Sequence, residues 1–210
     1  MSTRPAQAFA RRGRGAALLI VDAQKGFVNA RMRAEFPHLD DRIAGALRFF
    51  RAENLPVLHV RERFRRDRSD WLPPYLLAGR APVLEATADV EPLECATALP
   101  SESVLFKAAW DPWVSTDLER ELRELECKML YVAGIATSVC VLQSAVGAIN
   151  RGIMCTVLSD ACADHKDAHD VFIERYTRFG GLRFCAVDEL SHDIAEADGI
   201  VARLRAHSAL

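Results

Sequence analysis

Three residues in this chain could together open an acyl bond: a carboxylate at Asp22, an ammonium at Lys107 and a thiol at Cys140. A cysteine sulfur attacks carbonyls once its proton is removed, which a carboxylate can do and a nearby cation can assist. Cys140 lies in Gly134-Ile135-Ala136-Thr137-Ser138-Val139-Cys140-Val141, between the apolar run 129–133 and an Ala/Val-rich segment ending at Arg151-Gly152. That order predicts a cysteine in the first turn of a helix, just beyond the carboxyl end of a strand. Unpaired amide N–H groups and the helix dipole favour a thiolate at such a place. Each residue also has an ordinary structural role open to it. Asp22 could cap a helix, Lys107 could be a solvated ammonium, and Cys140 could be a small apolar core residue.

The elements that must position these groups follow from periodicity. Residues 16–21 form a continuous apolar run, the pattern of a strand covered on both faces, and it stops at Asp22. Ile43, Ala44, Leu47 and Phe50 keep helical spacing until Pro56, and 57–60 read as a second strand in which His59 is a satisfied sheet histidine. Prolines punctuate 61–102, which predicts a long functional or partner-covering loop. A third strand over 103–106 ends at Lys107, and Thr116 and Glu119 stand in capping-box spacing before a helix carrying Leu118, Leu122 and Leu125. Strands over 129–133, 154–158 and 182–187 and helices over 167–179 and 191–206 complete the pattern, with Ser159-Asp160 closing the fifth strand. Such alternation predicts α/β architecture: a single-domain three-layer sandwich with a six-stranded, mainly parallel sheet flanked by helices. Parallel strands deliver their carboxyl ends to one edge, so Asp22, Lys107 and Cys140 can share a crevice.

Composition narrows the function classes. The 210 residues are 50% hydrophobic and 27% charged, enough for one domain, expected over residues 16–210, with a sizeable core. Lys+Arg 27 against Asp+Glu 29 leaves a net charge of -2, so no global field recruits nucleic acid or an anionic membrane. The six scattered cysteines form no CxxC pair and read as reduced thiols of a cytoplasmic protein. Residues 1–15, rich in Arg, Ala and Gly, read as a disordered leader. No apolar run approaches the length of a membrane span.

The chain resembles the isochorismatase-like cysteine hydrolase superfamily. The resemblance is carried by Leu19-Ile20-Val21-Asp22-Ala23-Gln24-Lys25-Gly26-Phe27, by Val104-Leu105-Phe106-Lys107, by the segment around Cys140 and by Ser159-Asp160-Ala161-Cys162-Ala163, which is similar to the family's acidic turn after the fifth strand. It implies that Cys140 is the nucleophile, Asp22 the general base and acid, and Lys107 their electrostatic partner. It also implies a cis peptide between Ile135 and Ala136 and an oxyanion hole made by the amides of Ala136 and Cys140. The implied activity is hydrolysis of the C–N bond of a small linear amide or ureido compound through a Cys140 thioester. Alternatives are isochorismatase-type vinyl ether hydrolysis and a catalytically retired, binding member of the family.

Departures from the family pattern sharpen the expectation. Metal-dependent nicotinamidases carry an Asp-x-His pair after the second strand, where this chain has Arg61-Glu62-Arg63-Phe64-Arg65, so no metal or other cofactor is expected. Ala108-Ala109-Trp110-Asp111-Pro112-Trp113 could line the pocket with indoles, although Trp113 could equally be a packing residue. Gln24, Arg61, Trp110, Trp113 and Ile135 are the substrate-binding candidates, with Tyr176 and His165 as further residues that could reach the pocket. Arg61, Arg63 and Arg65 suggest a carboxylate-bearing substrate, unless they face solvent. The partner expected is thus a small molecule. A homo-oligomer, dimer or tetramer, is also expected, with 72–77 as a contact surface or lid.

Overall fold

A computed structural model describes residues 15–208, so the expected leader, apart from Gly15, lies outside the described residues. Six strands form one wholly parallel sheet: β1 (Ala16–Val21), β2 (Val57–Glu62), β3 (Ser103–Lys107), β4 (Met129–Ile135), β5 (Met154–Ala163) and β6 (Arg183–Cys185), in the order β3-β2-β1-β4-β5-β6. The order reverses direction between β1 and β4, a switch point where the flanking crossovers part and leave a crevice.

Alternation along the strands assigns the two faces. Leu18 and Ile20 of β1 and Tyr131 and Ala133 of β4 pack with Ile43, Leu47 and Phe50 of α2 (Leu39–Ala52) and Ile194 and Val201 of α7 (Leu190–Ser208). Leu19 and Val21 pack the other way, with Leu58, Val60 and Val132, against α4 (Leu118–Glu124), α5 (Leu142–Ile149) and α6 (Lys166–Phe179). Each fully buried Leu, Ile or Val side chain contributes about 1.5–3 kcal/mol, so these two layers carry most of the folding drive. In α2, Asp40 and Asp41 in the first turn and Arg51 in the last complement the helix dipole.

Several boundaries differ from those read in the sequence. β2 runs on through Arg61 and Glu62, and β5 continues to Ala163, so Ser159–Ala163 is strand rather than a turn; a register shift between Val132 and Gly134 accommodates the longer β5. Thr116 and Glu119 do not form a capping box; the helix begins at Leu118 and Thr116 Oγ1 accepts from its amide. The region 61–102 contains α3 (Pro73–Ala78) and a small core of Phe64, Trp71 and Val83, and α1 (Ala30–Glu35) precedes α2. None of the described helices is long and apolar enough to cross a membrane.

Candidate active site

Asp22, Glu62 and Lys107 end three adjacent strands, and backbone register alone brings them together. Glu62 pairs with Lys107 across β2 and β3, while the Asp22 amide donates to Val60 O at 2.9 Å. Asp22 sits at φ 48°, in the left-handed region that Asp tolerates better than most residues, and this turns the chain sharply off β1. Across the switch point, Gly134 is held at φ 131° so close to β1 that an added Cβ would lie 1.9 Å from Val21 O. Only glycine permits that approach. β4 thus ends beside Asp22, the Ile135–Ala136 bond is cis, and the chain enters a five-residue π turn, Thr137–Val141, that carries Cys140.

The π turn is fastened from outside. Ser138 N–H and Oγ both donate to Asp164 Oδ2, at 2.8 and 2.6 Å, and Thr137 Oγ1 meets His169 Nδ1 at 2.9 Å. Ser144 Oγ donates to the Cys140 carbonyl at 2.7 Å. Cys140 therefore precedes α5, in an externally fastened π turn rather than the ordinary first helical turn expected from sequence.

Lys107 Nζ is the hub. It lies 2.7 Å from Asp22 Oδ2, donates to Ala109 O at 2.8 Å, and stands 3.5 Å from both Cys140 Sγ and Glu62 Oε1. Asp22 and Lys107 are buried, and Cys140 keeps 6% of its surface exposed, so the cluster is nearly closed to solvent. Neither Asp22 oxygen has a well-aligned hydrogen-bond donor among the described residues, which makes its pairing with Lys107 one of charge. Gln24 locks Glu62 in place: it accepts from the Glu62 amide at 2.8 Å and donates to the Glu62 carbonyl at 2.9 Å and to Val90 O at 3.0 Å.

Burial governs the protonation of the cluster. It pushes Asp22 above the usual carboxylate range against the pull of Lys107, and raises Glu62 to about 7. Lys107 stays above the ordinary lysine value because Asp22, Cys140 and Glu62 outweigh its own desolvation. Burial, then Asp22, hold the Cys140 proton on more firmly than usual, and Lys107 only partly opposes them. The resting sulfur is a thiol, contrary to the thiolate expected from a helix N-terminus. Its proton must leave when substrate arrives, and Asp22, with a raised affinity for protons, is placed to take it.

The isochorismatase domain model matches residues 16–186. The chain belongs to the isochorismatase family. An isochorismatase family protein from Desulfovibrio vulgaris shares the fold at a TM-score of 0.79, with 26% identity over 87% of this chain and 100% of that one. Maleamate amidohydrolase from Pseudomonas putida is 28% identical over 196 residues, 86% of this chain and 89% of that protein. N-carbamoylsarcosine amidase from Thermoplasma acidophilum has the same fold at a TM-score of 0.71, with 24% identity over 83% of this chain and 97% of that one. This isochorismatase-family protein is accordingly a hydrolase.

The fold disperses most of the substrate-binding candidates. Gln24 is a buried clamp on β2, with both ends of its amide occupied. Arg61 alternates with Glu62 and so projects to the α2 side of the sheet, away from Cys140; Arg63 stacks 4.1 Å from the Phe106 ring, and Arg65 pairs with Asp67. Trp113 is buried, donating to Ser144 O at 3.0 Å and filling the space beside Gly147, so it docks its own segment onto α5. The Ile135 side chain belongs to the α2 and α7 core, His165 precedes α6, and Tyr176 packs on Phe172. Trp110 remains near the cluster, its indole N–H donating to Tyr75 Oη at 3.1 Å.

Two site residues escaped the sequence. Glu62 continues the alternation of Leu58 and Val60, a signal obscured because the charged run Arg61-Glu62-Arg63 looks like the end of a strand. Tyr75 of α3 is half-buried, and its proton affinity is raised by burial and by the charges of Glu62 and Cys140. With Phe64 at 5.2 Å and Trp110 at 6.4 Å between ring centres, it walls the cluster on the loop side. Among the described residues, no group of three His, Cys, Asp or Glu side chains is arranged to hold a metal ion.

Proposed function

We propose that this chain is a cysteine amidohydrolase that cleaves the C–N bond of a small amide or ureido compound through a Cys140 thioester, without a catalytic metal. The observation that carries this is the meeting of Asp22, Lys107 and Cys140 around one ammonium, 2.7 Å from the carboxylate and 3.5 Å from the sulfur. The amidase activities named for the Pseudomonas putida and Thermoplasma acidophilum proteins add support.

Substrate seats its carbonyl carbon above Cys140 Sγ, and Asp22 takes the thiol proton as sulfur adds to the carbonyl. The amides of Ala136 and Cys140 receive the developing oxyanion, while Lys107 balances the charge of Asp22 and sulfur. Protonated Asp22 then gives its proton to the departing nitrogen, leaving a thioester and a free amine or ammonia. A water molecule, deprotonated by Asp22, attacks the thioester and releases the acid, returning the proton to Cys140. Every proton lent is returned, so the cycle consumes only amide and water.

An ammonia-release screen over simple amides, ureido acids, carbamoyl amino acids and nicotinamide tests this, with the Cys140→Ala protein as blank. Turnover of at least one compound by the native chain and by neither Cys140→Ala nor Asp22→Asn is expected. Silence across the panel, or equal release by the Cys140→Ala protein, counts against it.

A further inference from the structure

Glu62 has no part in the cycle above, yet it is a buried carboxyl on the same face of the sheet as Cys140 and beside it in space. Its backbone is clamped at both N–H and C=O by Gln24, so the side chain is aimed rather than free. Its one polar contact among the described residues is the 3.5 Å approach to Lys107, long for a hydrogen bond. A buried carboxyl met so weakly is a group built to accept from something else.

The cations around it point the same way. Lys107 is already engaged: its ammonium pairs with Asp22 by charge, donates to Ala109 O and reaches toward the Glu62 and Cys140 side. Arg61 projects to the opposite face, Arg63 lies on Phe106, Arg65 pairs with Asp67, and Arg66 donates to Glu85 O and Ala86 O. His59 is turned to the α2 side, where it meets Glu102 at 3.0 Å. Of these cations only Lys107 reaches the cluster, which sets two carboxyls against one ammonium.

We propose that Glu62 is a specificity-determining residue that accepts hydrogen bonds from an N–H group of the substrate, so that the site takes neutral, nitrogen-rich amides or ureas and rejects amide acids. This rests on the amidohydrolase reading for its turnover arm alone. It reverses the expectation that arginines after the second strand would select a carboxylate-bearing substrate. Above about pH 7, where Glu62 is ionised, a carboxylate brought beside it would meet like charge at close range in a dry site, whereas an amide N–H₂ supplies the missing donors.

The test uses the full chain with succinamide and succinamate, which differ only in one amide against one carboxylate. The native protein should release ammonia from succinamide with a kcat/KM at least about tenfold higher than from succinamate, expressed through KM. Glu62→Gln should bring the ratio toward one, and Glu62→Asp, which keeps the charge, should preserve a preference for the diamide. Binding to the Cys140→Ala protein, followed by calorimetry, supplies an arm independent of chemistry. Preferential binding of succinamide there, with no turnover by the native chain, would sink the amidohydrolase reading and leave this inference standing. Cys140-dependent turnover that favours succinamate, or a preference unchanged in Glu62→Gln, overturns the inference and leaves the amidohydrolase intact. Failure of the Cys140→Ala protein to bind either compound overturns it as well.

Discussion

Two regions of the molecule differ in what their charges are doing. One is a cleft of about 560 Å³ between the starts of α2 and α6, lined by Phe36, His38, Arg42, Asp160, Lys166 and His169 among others. Its ions are at least partly exposed and paired: Arg42 with Asp160 and Asp188, Lys166 with Asp170. The other is the buried Asp22, Glu62, Lys107 and Cys140 cluster, where two carboxyls compete for one ammonium. Exposed pairs are worth little because water answers each charge nearly as well, whereas buried ones hold large, uncompensated interactions. An open cleft thus marks one region and electrostatic tension the other; tension is the better guide to chemistry.

The sharpest way to break this contrast is to remove the sulfur or its base. Cys140→Ala and Asp22→Asn should each lower the steady-state rate of ammonia release at least about 10⁴-fold, because members of a nucleophile-and-base unit fail together. A loss under tenfold in both would mean that the reacting group lies elsewhere. The next effect is on stability. Lys107→Met leaves two carboxyls buried without a counter-charge and should cost about 3–5 kcal/mol in chemical denaturation, whereas Lys166→Ala should cost less than about 0.5 kcal/mol.

Protonation gives a third handle. Glu62 is raised from 4.5 to about 7, so between those values the folded chain holds a proton that the unfolded chain has released. The stability this confers is complete below the unfolded value and is lost as pH rises through the folded one. Relative to Glu62→Gln, the native protein should therefore lose on the order of 2 kcal/mol between about pH 4.5 and 7, read from paired denaturation curves. Asp22 shifts in the same direction and interacts with Glu62, so the difference reports Glu62 together with its coupling to Asp22. A flat difference would show that Glu62 ionises normally in the folded state. The resting thiol gives a smaller effect: iodoacetamide should label Cys140 about tenfold more slowly than a free thiol at pH 7, and faster in Asp22→Asn, where the opposing anion is gone.

How much of this was legible in the chain follows from which interactions are local. The strand ends at Asp22 and Lys107 could be read because apolar runs stop abruptly there, and parallel order then gathers their tips, whereas β4 runs past the expected Ala133 to Ile135. Glu62 could not, since its membership depends on β2 running two residues past its apolar stretch, a consequence of pairing with β3 rather than of propensity. Trp113 was ambiguous for the same reason: only the facing Gly147 reveals that the indole fills a groove in α5. The arginines misled because composition carries no face. One residue of offset along β2 sends Arg61 to the α2 layer and Glu62 to the cluster. The state of Cys140 was misjudged because a helix dipole is visible in sequence, while desolvation and the Asp22 charge are not.

The weakest effects belong to the cleft, and they sharpen the contrast from its other side. Lys166→Ala removes an ammonium that reaches Asp170 within its own helix and stands 5.6 Å from the Phe36 ring, both contacts shared with solvent. His38→Ala removes a lining side chain with no part in holding the π turn. His169 is different, because its contact with Thr137 connects the cleft wall to the turn that carries Cys140. Lys166→Ala and His38→Ala should therefore leave kcat/KM within about twofold, while His169→Ala should lower it more, through kcat, by loosening the frame around the nucleophile. If all three behave alike, the cleft and the cluster are independent and the Thr137–His169 contact is merely structural. If Lys166→Ala proves as damaging as Lys107→Met, the cleft is part of the reacting site, and its paired ions are doing more than solvating a surface.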